Sequence, residues 1–332
     1  MPQRLLIIQT AFIGDVILAT ALIEKICQQY QNTMEIDFLL RKGNESLLEK
    51  HPHIRRLWVW DKQQDKYRNM WRLIGELRQQ QYAYVVNVQR FAASGLFTVL
   101  SGAKQTIGFD KNPLSVFFTR RYPHRIGDGT HETVRNQQLI STLTDNVPAK
   151  PRLYPLPKHY EQAAAFQQHP YVCIAPASVW FTKQFPLEKW VELIDKLPAH
   201  LHVLLLGGKE DAALCEQIVQ QAARPNLQNL AGKLGLLASA ALMESAVMNY
   251  VNDSAPMHLA SAVNAPVCAI YCSTVPAFGY GPLSDKQSVI ETAEPLDCRP
   301  CGLHGYKACP QGHFRCAMSI STDDIIGRTL SS

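Results

Sequence analysis

The sequence predicts an α/β protein made of two successive units, each an open parallel sheet flanked by helices. Three observations carry this. Short apolar runs alternate with amphipathic stretches along almost the whole chain, as β-α-β crossovers covering both faces of a sheet require. A proline-rich stretch interrupts the pattern near the middle, and the pattern then restarts. Finally, 332 residues are too many for one ordinary core and suit two of about 150 residues each.

In the first unit "RLLIIQ", "EIDFLL", "RRLWVW" and "YAYVVNV" read as strands, being short, apolar and rich in branched and aromatic side chains. The stretches from Val16 to Tyr30 and from Tyr67 to Gln80 carry helical apolar spacing. "HETVRNQQLISTLT" continues as helix until "DNVPAKPRLYPLP", where Pro148, Pro151, Pro155 and Pro157 cannot extend regular structure. The expected domains are therefore residues 1–155 and 156–332. In the second, "YVCIAPA", "HVLLLGG", "MNYVND" and "VCAIY" are strands, with helices following Pro186, Gly208, Leu236 and Pro256.

Hydrophobic residues make up 46% of the chain and charged residues 18%, a globular composition without low-complexity blocks or repeats. The opening "MPQRLLIIQTAFIGDVILATALIEK" has the look of a signal peptide, but Gly14 and Asp15 break the apolar run, and neither half approaches the roughly 18 residues of a span. It reads as strand, loop and helix. No other stretch qualifies as transmembrane, and nine cysteines, an odd number, argue for a reducing compartment over a disulfide framework. A soluble, cytoplasmic protein is expected. The net charge of +5 comes from scattered residues, apart from pairs at Arg41, Arg55 and Arg120. It fits an acidic substrate, an anionic membrane surface or an ordinary solvated face.

Neither half contains G-x-G-x-x-G or the phosphate-loop pattern, which argues against a nicotinamide enzyme. Ligands of open α/β sheets bind beyond the carboxyl ends of the strands, so those loops are where chemistry is sought. The first carries Asp15, in "QTAFIGDVILAT", as a helix cap or as a group waiting for substrate. In the second unit "VNDSAPMHLASA" ends a strand at Asp253 and opens a helix at Ser254 and Pro256, with Met257 and His258 on its first turn. Caps, a first-turn proline and exposed N–H groups make an anion site there. The plainer reading is a capped helix with a half-buried histidine. "SVWFTKQFP" puts Ser178 and Lys183 on the loop after the unit's first strand. "GGKEDAALCEQI" follows the second: Gly207 and Gly208 permit close backbone approach and Glu210 suits ribose hydroxyls. A lone lysine is usually solvated surface, but all these features fall on one sheet edge, which reads as a nucleoside diphosphate site.

Over nearly its whole length the sequence resembles the ADP-heptose:lipopolysaccharide heptosyltransferases of glycosyltransferase family 9. The resemblance rests on "TAFIGDVILATALI", "APAS…TKQFPLEKW", "NLAGKLGLLASAALMESA" and "NDSAPMHLASAVNAPVCAIY" followed by "GYGP"; Ala255 stands where the family commonly has glycine. It implies the GT-B architecture, two Rossmann-like domains facing each other across a cleft, with acceptor on the amino-terminal domain and nucleotide sugar on the carboxy-terminal one. It also implies inversion at the anomeric carbon, with Asp15 matching the family's catalytic aspartate. Lys183 and the helix start with His258 would offset the charge of the departing diphosphate, so that no metal or other cofactor is obligatory. The implied partners are an ADP-heptose donor and a lipopolysaccharide core acceptor, met at the inner face of the cytoplasmic membrane by peripheral contact.

Inner-core acceptors of the family carry carboxylates or phosphates, which makes Arg41, Arg90, Arg120 and His131 the candidate acceptor contacts, with Arg121 and Arg135 near them. For each alone, a solvated surface cation is the plainer account. The stretch "CRPCGLHGYKACPQGHFRC" brings Cys298, Cys301, Cys309 and Cys316 together in sequence, enough for a structural zinc although the second pair is widely spaced. Reduced thiols packing a loop, or a redox pair, are the other readings. Two alternatives stand beside the main one: a different nucleotide sugar or envelope acceptor, and a zinc-containing nucleic-acid-binding protein. The absence of a concentrated basic stripe argues against the latter.

Overall fold

A computed structural model describes residues 2–330 and divides into two compact units, Met1–Tyr154 and Pro155–Ser332. The strands of the first are β1 (Arg4–Ile8), β2 (Glu35–Arg41), β3 (Arg56–Trp60), β4 (Tyr84–Asn87), β5 (Gln105–Phe109) and β6 (Arg120–Tyr122). They form one parallel sheet in the order β3-β2-β1-β4-β5-β6. Its helices are α1 (Ile13–Tyr30), α2 (Lys66–Gln79), α3 (Ala92–Leu100) and α4 (Glu132–Gln138). Leu5 to Ile8 are wholly buried, because helices cover the central strand on both sides. Met70, Leu73, Ile74 and Leu77 of α2, with Phe97 of α3, pack on Leu6, Ile8, Leu39 and Trp58.

The second unit repeats the plan. After α5 (Pro157–Ala164) come β7 (Tyr171–Ala175), α6 (Leu187–Lys196), β8 (His202–Leu205), α7 (Ala212–Gln221), β9 (Leu227–Asn229) and α8 (Leu236–Glu244). Then follow β10 (Met248–Asn252), α9 (Ala255–Ala262), β11 (Val267–Tyr271), β12 (Gln287–Glu291), α10 (Arg315–Met318) and α11 (Thr322–Leu330). The parallel order is β12-β11-β10-β7-β8-β9. In each sheet the unit's first strand lies between its second and its fourth, so the direction of winding reverses there. That reversal opens a crevice at the carboxyl ends of β1 and β4, and of β7 and β10.

The strands absent from the sequence reading are those without a continuous apolar run. The "QTIGF" of β5, interrupted by threonine and glycine, lies inside its sheet and is largely buried, whereas the "RRY" of β6, the "LQN" of β9 and the "QSVIE" of β12 are at least partly exposed and each of these three sits on a sheet edge. The fourth helix of the first unit also stops early, at Gln138. From there the chain tightens into turns, and Gln137 Nε2 donates to Thr144 Oγ1 at 2.8 Å and to the Asp145 carbonyl at 2.6 Å. Charge divides unevenly: the first unit carries 21 Lys and Arg against 13 Asp and Glu, the second 12 against 15. No helix among the described residues is long and apolar enough to cross a membrane.

Candidate active site

In the first unit the crevice between β1 and β4 is bridged by a hydrogen bond from Gln89 Nε2 to Gln9 Oε1, both residues being buried. The chain then turns through Phe12, whose extended backbone makes it the N-cap of α1. Asp15, three residues on, accepts the Phe12 backbone N–H at 3.2 Å, the return half of a capping box. Asp15 is thus tied to the helix start, and it is also a perturbed acid. Burial, and next the negative charge of Glu132, push its pKa up to about 6 against the pull of the Phe12 and Asp15 N–H groups and of Arg41. Glu132 is an anion held in place. Burial works to raise it, but His124 at 3.5 Å and Arg135 at 2.8 Å hold it below the usual range.

Of the four cations expected around an acceptor, Arg41 stands by Asp15. It ends β2, and its guanidinium lies 4.8 Å from the centre of the Phe12 ring. Arg90 is exposed on the β4 loop over Phe91, at 5.5 Å, and Arg120 is exposed on edge strand β6. His131 is the N-cap of α4, its Nδ1 accepting the Thr133 N–H at 3.2 Å. Glu132, His124 and Lys62, whose Nζ donates to the Thr10 carbonyl at 2.8 Å, are additions that the sequence did not single out. Nothing in "DGTHETVRN" distinguishes Glu132 from an ordinary first-turn acid; its proximity to Asp15 arises because α4 packs on α1.

The crevice of the second unit is bridged by an ion pair. Lys183, in the turn after β7, meets the Asp253 carboxylate at the end of β10, Nζ to Oδ2, at 2.7 Å. The same Oδ2 accepts the Thr274 hydroxyl at 2.6 Å, while the Asp253 N–H donates to the Ile270 carbonyl at 3.2 Å. Ser178 lies on this loop, its carbonyl accepting Gln184 Nε2 at 2.6 Å. Ser254 is the backbone N-cap of α9 and its hydroxyl makes no capping bond; Pro256 fits the first turn. Met257 is fully buried, with the Tyr271 hydroxyl 3.5 Å from its sulfur, and His258 is also buried. Next to β8, the room at Gly207 is filled by the chain itself. A Cβ there would lie 2.8 Å from Asp211 Cβ, and the Asp211 carboxylate accepts the Gly208 N–H at 2.8 Å. Glu210 is exposed beside it.

The structural zinc expected at the four cysteines is not shown by the structure. Here Cys298 Sγ faces His313 Nε2 at 3.9 Å, Cys301 Sγ points at the Cys298 carbonyl at 3.5 Å, and Cys316 is buried. Among the described residues no group of three or more His, Cys, Asp or Glu side chains could hold a metal ion. Burial raises both Cys301 and Cys316, the latter to about 11, with neighbouring thiols adding to it. They are protonated thiols at neutral pH.

A family model described as glycosyltransferase family 9 (heptosyltransferase) matches residues 70–304, well over half of the chain. The chain belongs to glycosyltransferase family 9. As a family 9 member it is an enzyme, a glycosyltransferase. Lipopolysaccharide heptosyltransferase 3 of Escherichia coli is 27% identical over 278 residues, covering 79% of this chain and 82% of its own. Lipopolysaccharide heptosyltransferase 1 of Pseudomonas aeruginosa is 26% identical over 325 residues, 90% of this chain and 86% of its own. The solved ADP-heptose lps heptosyltransferase II of E. coli superimposes with a TM-score of 0.81 at 19% identity, covering 99% of this chain and 98% of that one. The fold of this family 9 chain is therefore GT-B, two doubly wound α/β units.

Proposed function

We propose that this family 9 enzyme transfers heptose from ADP-heptose to a lipopolysaccharide core acceptor, with inversion and with Asp15 as general base. The names of its relatives support the donor and acceptor. The observation that carries the mechanism is Asp15 itself: a carboxylate at a switch-point crevice whose pKa, about 6, suits proton uptake near neutral pH. Asp15 takes the proton of the acceptor hydroxyl as that oxygen attacks the anomeric carbon. The bond from that carbon to the diphosphate oxygen breaks on the opposite face, and ADP leaves with the electron pair.

In this reading the second unit holds the nucleotide. Lys183 and the N-terminus of α9, at Ser254 and Pro256, offset the charge gathering on the diphosphate, so departure needs no obligatory metal. Asp253 orients Lys183, Ser178 and His258 lie along the same edge, and Met257 acts by packing. Gly207 and Glu210 serve the ribose. The first unit holds the acceptor, and its surplus of 21 basic over 13 acidic residues suits an anionic saccharide. Arg41 is the contact nearest the base, with Arg90, Arg120 and His131 further out. Peripheral membrane contact is supported by exposed Phe91, Val116 and Phe117 beside Arg90 and Lys111. A thermal-shift panel of ADP, UDP, GDP and CMP tests the donor: ADP is expected to stabilise most, and a larger shift with another nucleotide overturns the assignment.

A further inference from the structure

The cysteine-bearing segment is fastened to the second unit's crevice at several points. The Arg299 guanidinium donates to the carbonyls of Cys272 at 2.7 Å and Thr274 at 2.6 Å, and the Cys301 N–H donates to the Ser273 carbonyl at 2.8 Å. Further along, Tyr306 and Thr182 are paired in both directions. The Thr182 N–H donates to the Tyr306 carbonyl at 3.1 Å, and the Tyr306 N–H donates to Thr182 Oγ1 at 2.8 Å. The Ser273 hydroxyl also donates to Thr182 Oγ1, at 3.0 Å. Thr182 and Ser273 are buried, so these groups have no water to fall back on.

Thr182 is the residue before Lys183. Gly305 closes on the same spot with φ of +77°, and a Cβ there would lie 2.8 Å from Thr182 Oγ1 and 3.1 Å from Lys183 Cγ. Only a glycine gives the segment this turn and this closeness together. The stem of Lys183 is therefore walled by Gly305 while its ammonium is held by Asp253 at 2.7 Å.

We propose that the Gly305–Tyr306 turn, acting through Thr182, is the positioning element for Lys183 and so sets the enzyme's affinity for a nucleoside diphosphate. The inference rests on the reading of Lys183 as a diphosphate contact. It gives the segment a role that needs neither metal nor disulfide: it replaces the freedom of a long flexible side chain with one orientation, and that lowers the entropy lost when an anion is bound.

The test is a double-mutant cycle read by calorimetric titration with ADP on the full chain. Thr182→Val keeps the shape and removes the acceptor, and is expected to weaken ADP binding about tenfold with the far-UV spectrum unchanged. Thr182→Ser, which keeps the hydroxyl, restores near wild-type affinity. In a Lys183→Ala background Thr182→Val has little further effect. Gly305→Ala approaches the same contact from the other side, and is expected to weaken ADP binding likewise. If Lys183→Ala weakens binding but Thr182→Val and Gly305→Ala do not, the positioning role alone falls. Equal losses in the two backgrounds also overturn it, since they mean a general structural effect. If Lys183→Ala leaves ADP affinity unchanged, the diphosphate reading and this inference fall together.

Discussion

Lys183 and Asp253 meet at 2.7 Å across the switch point of the second sheet, one from the turn after β7 and the other from the end of β10. In the proposed role of Lys183, Lys183→Ala removes a charge-assisted contact to the diphosphate, worth about 1.5–3 kcal/mol in typical cases. The expected outcome is a loss of roughly tenfold to a hundredfold in kcat/KM for the donor, at 1.4 kcal/mol per factor of ten. Steady-state assays over a range of donor concentration check it. Unchanged kinetics would remove Lys183 from the site.

Asp15 gives the second prediction. As general base it must be ionised, so the transfer rate falls as pH drops through about 6. Asp15→Asn abolishes that acid limb and lowers turnover by about 10²–10⁴, the usual contribution of a positioned base. Stability moves the other way. The folded-state pKa of about 6 lies above the ordinary 3.8, so the ionised group weakens folding progressively as pH rises from 3.8 to 6, and the full cost remains above that. Asp15→Asn is therefore expected to melt no lower than wild type at pH 8. A variant that melts lower while retaining its rate would make Asp15 a cap only.

Glu132 tunes that base. Its charge is the second largest cause of the raised Asp15 pKa. In Glu132→Gln the acid limb of the pH–rate profile is expected to shift below 6. A profile that keeps its midpoint would mean that the two carboxylates do not communicate.

The cysteine segment predicts a negative result. Purified protein should carry far less than one zinc per chain by elemental analysis, and a chelator should leave the rate unchanged, because no group of three or more His, Cys, Asp or Glu side chains among the described residues is arranged to hold a metal ion. Stoichiometric zinc would overturn this expectation.

Exposed Phe91, Val116 and Phe117 lie on two loops joined through Asn112, which donates from Nδ2 to the Gln89 and Phe91 carbonyls at 3.0 Å. Apolar side chains beside Arg90 and Lys111 fit an anionic lipid surface. Co-sedimentation with vesicles containing phosphatidylglycerol is expected for the wild type, with a several-fold loss in Phe117→Ser. Equal recovery of the two proteins would show that the patch does not bind lipid.

Much of the candidate site could be read in advance because strand ends can be read. Asp15, Lys183 and Asp253 lie on the segments that follow the buried strands β1, β7 and β10, and the carboxyl ends of such strands collect ligands whatever the side chains. Spacing alone could not decide the zinc expectation, for a related reason. Spacing places cysteines along a segment, but the direction of each sulfur follows from what the segment packs on. Cys316 is buried within α10, whereas Cys298 is half-buried and faces His313.

The sequence by itself determined the α/β class, the repetition of one plan in two units and the strand-end loops that carry the candidate site, because apolar periodicity and proline breaks are local properties of the chain. Tertiary structure alone decided which groups meet. Glu132 faces Asp15 only because α4 packs on α1, and Thr182 is joined to Tyr306, 124 positions away, only because the cysteine-bearing segment folds back onto the end of β11. A pKa depends on desolvation and on charges brought close by folding. The raised value of Asp15 is therefore a property of the packed unit, and "FIGDV" without its fold would be an ordinary acid at the start of a helix.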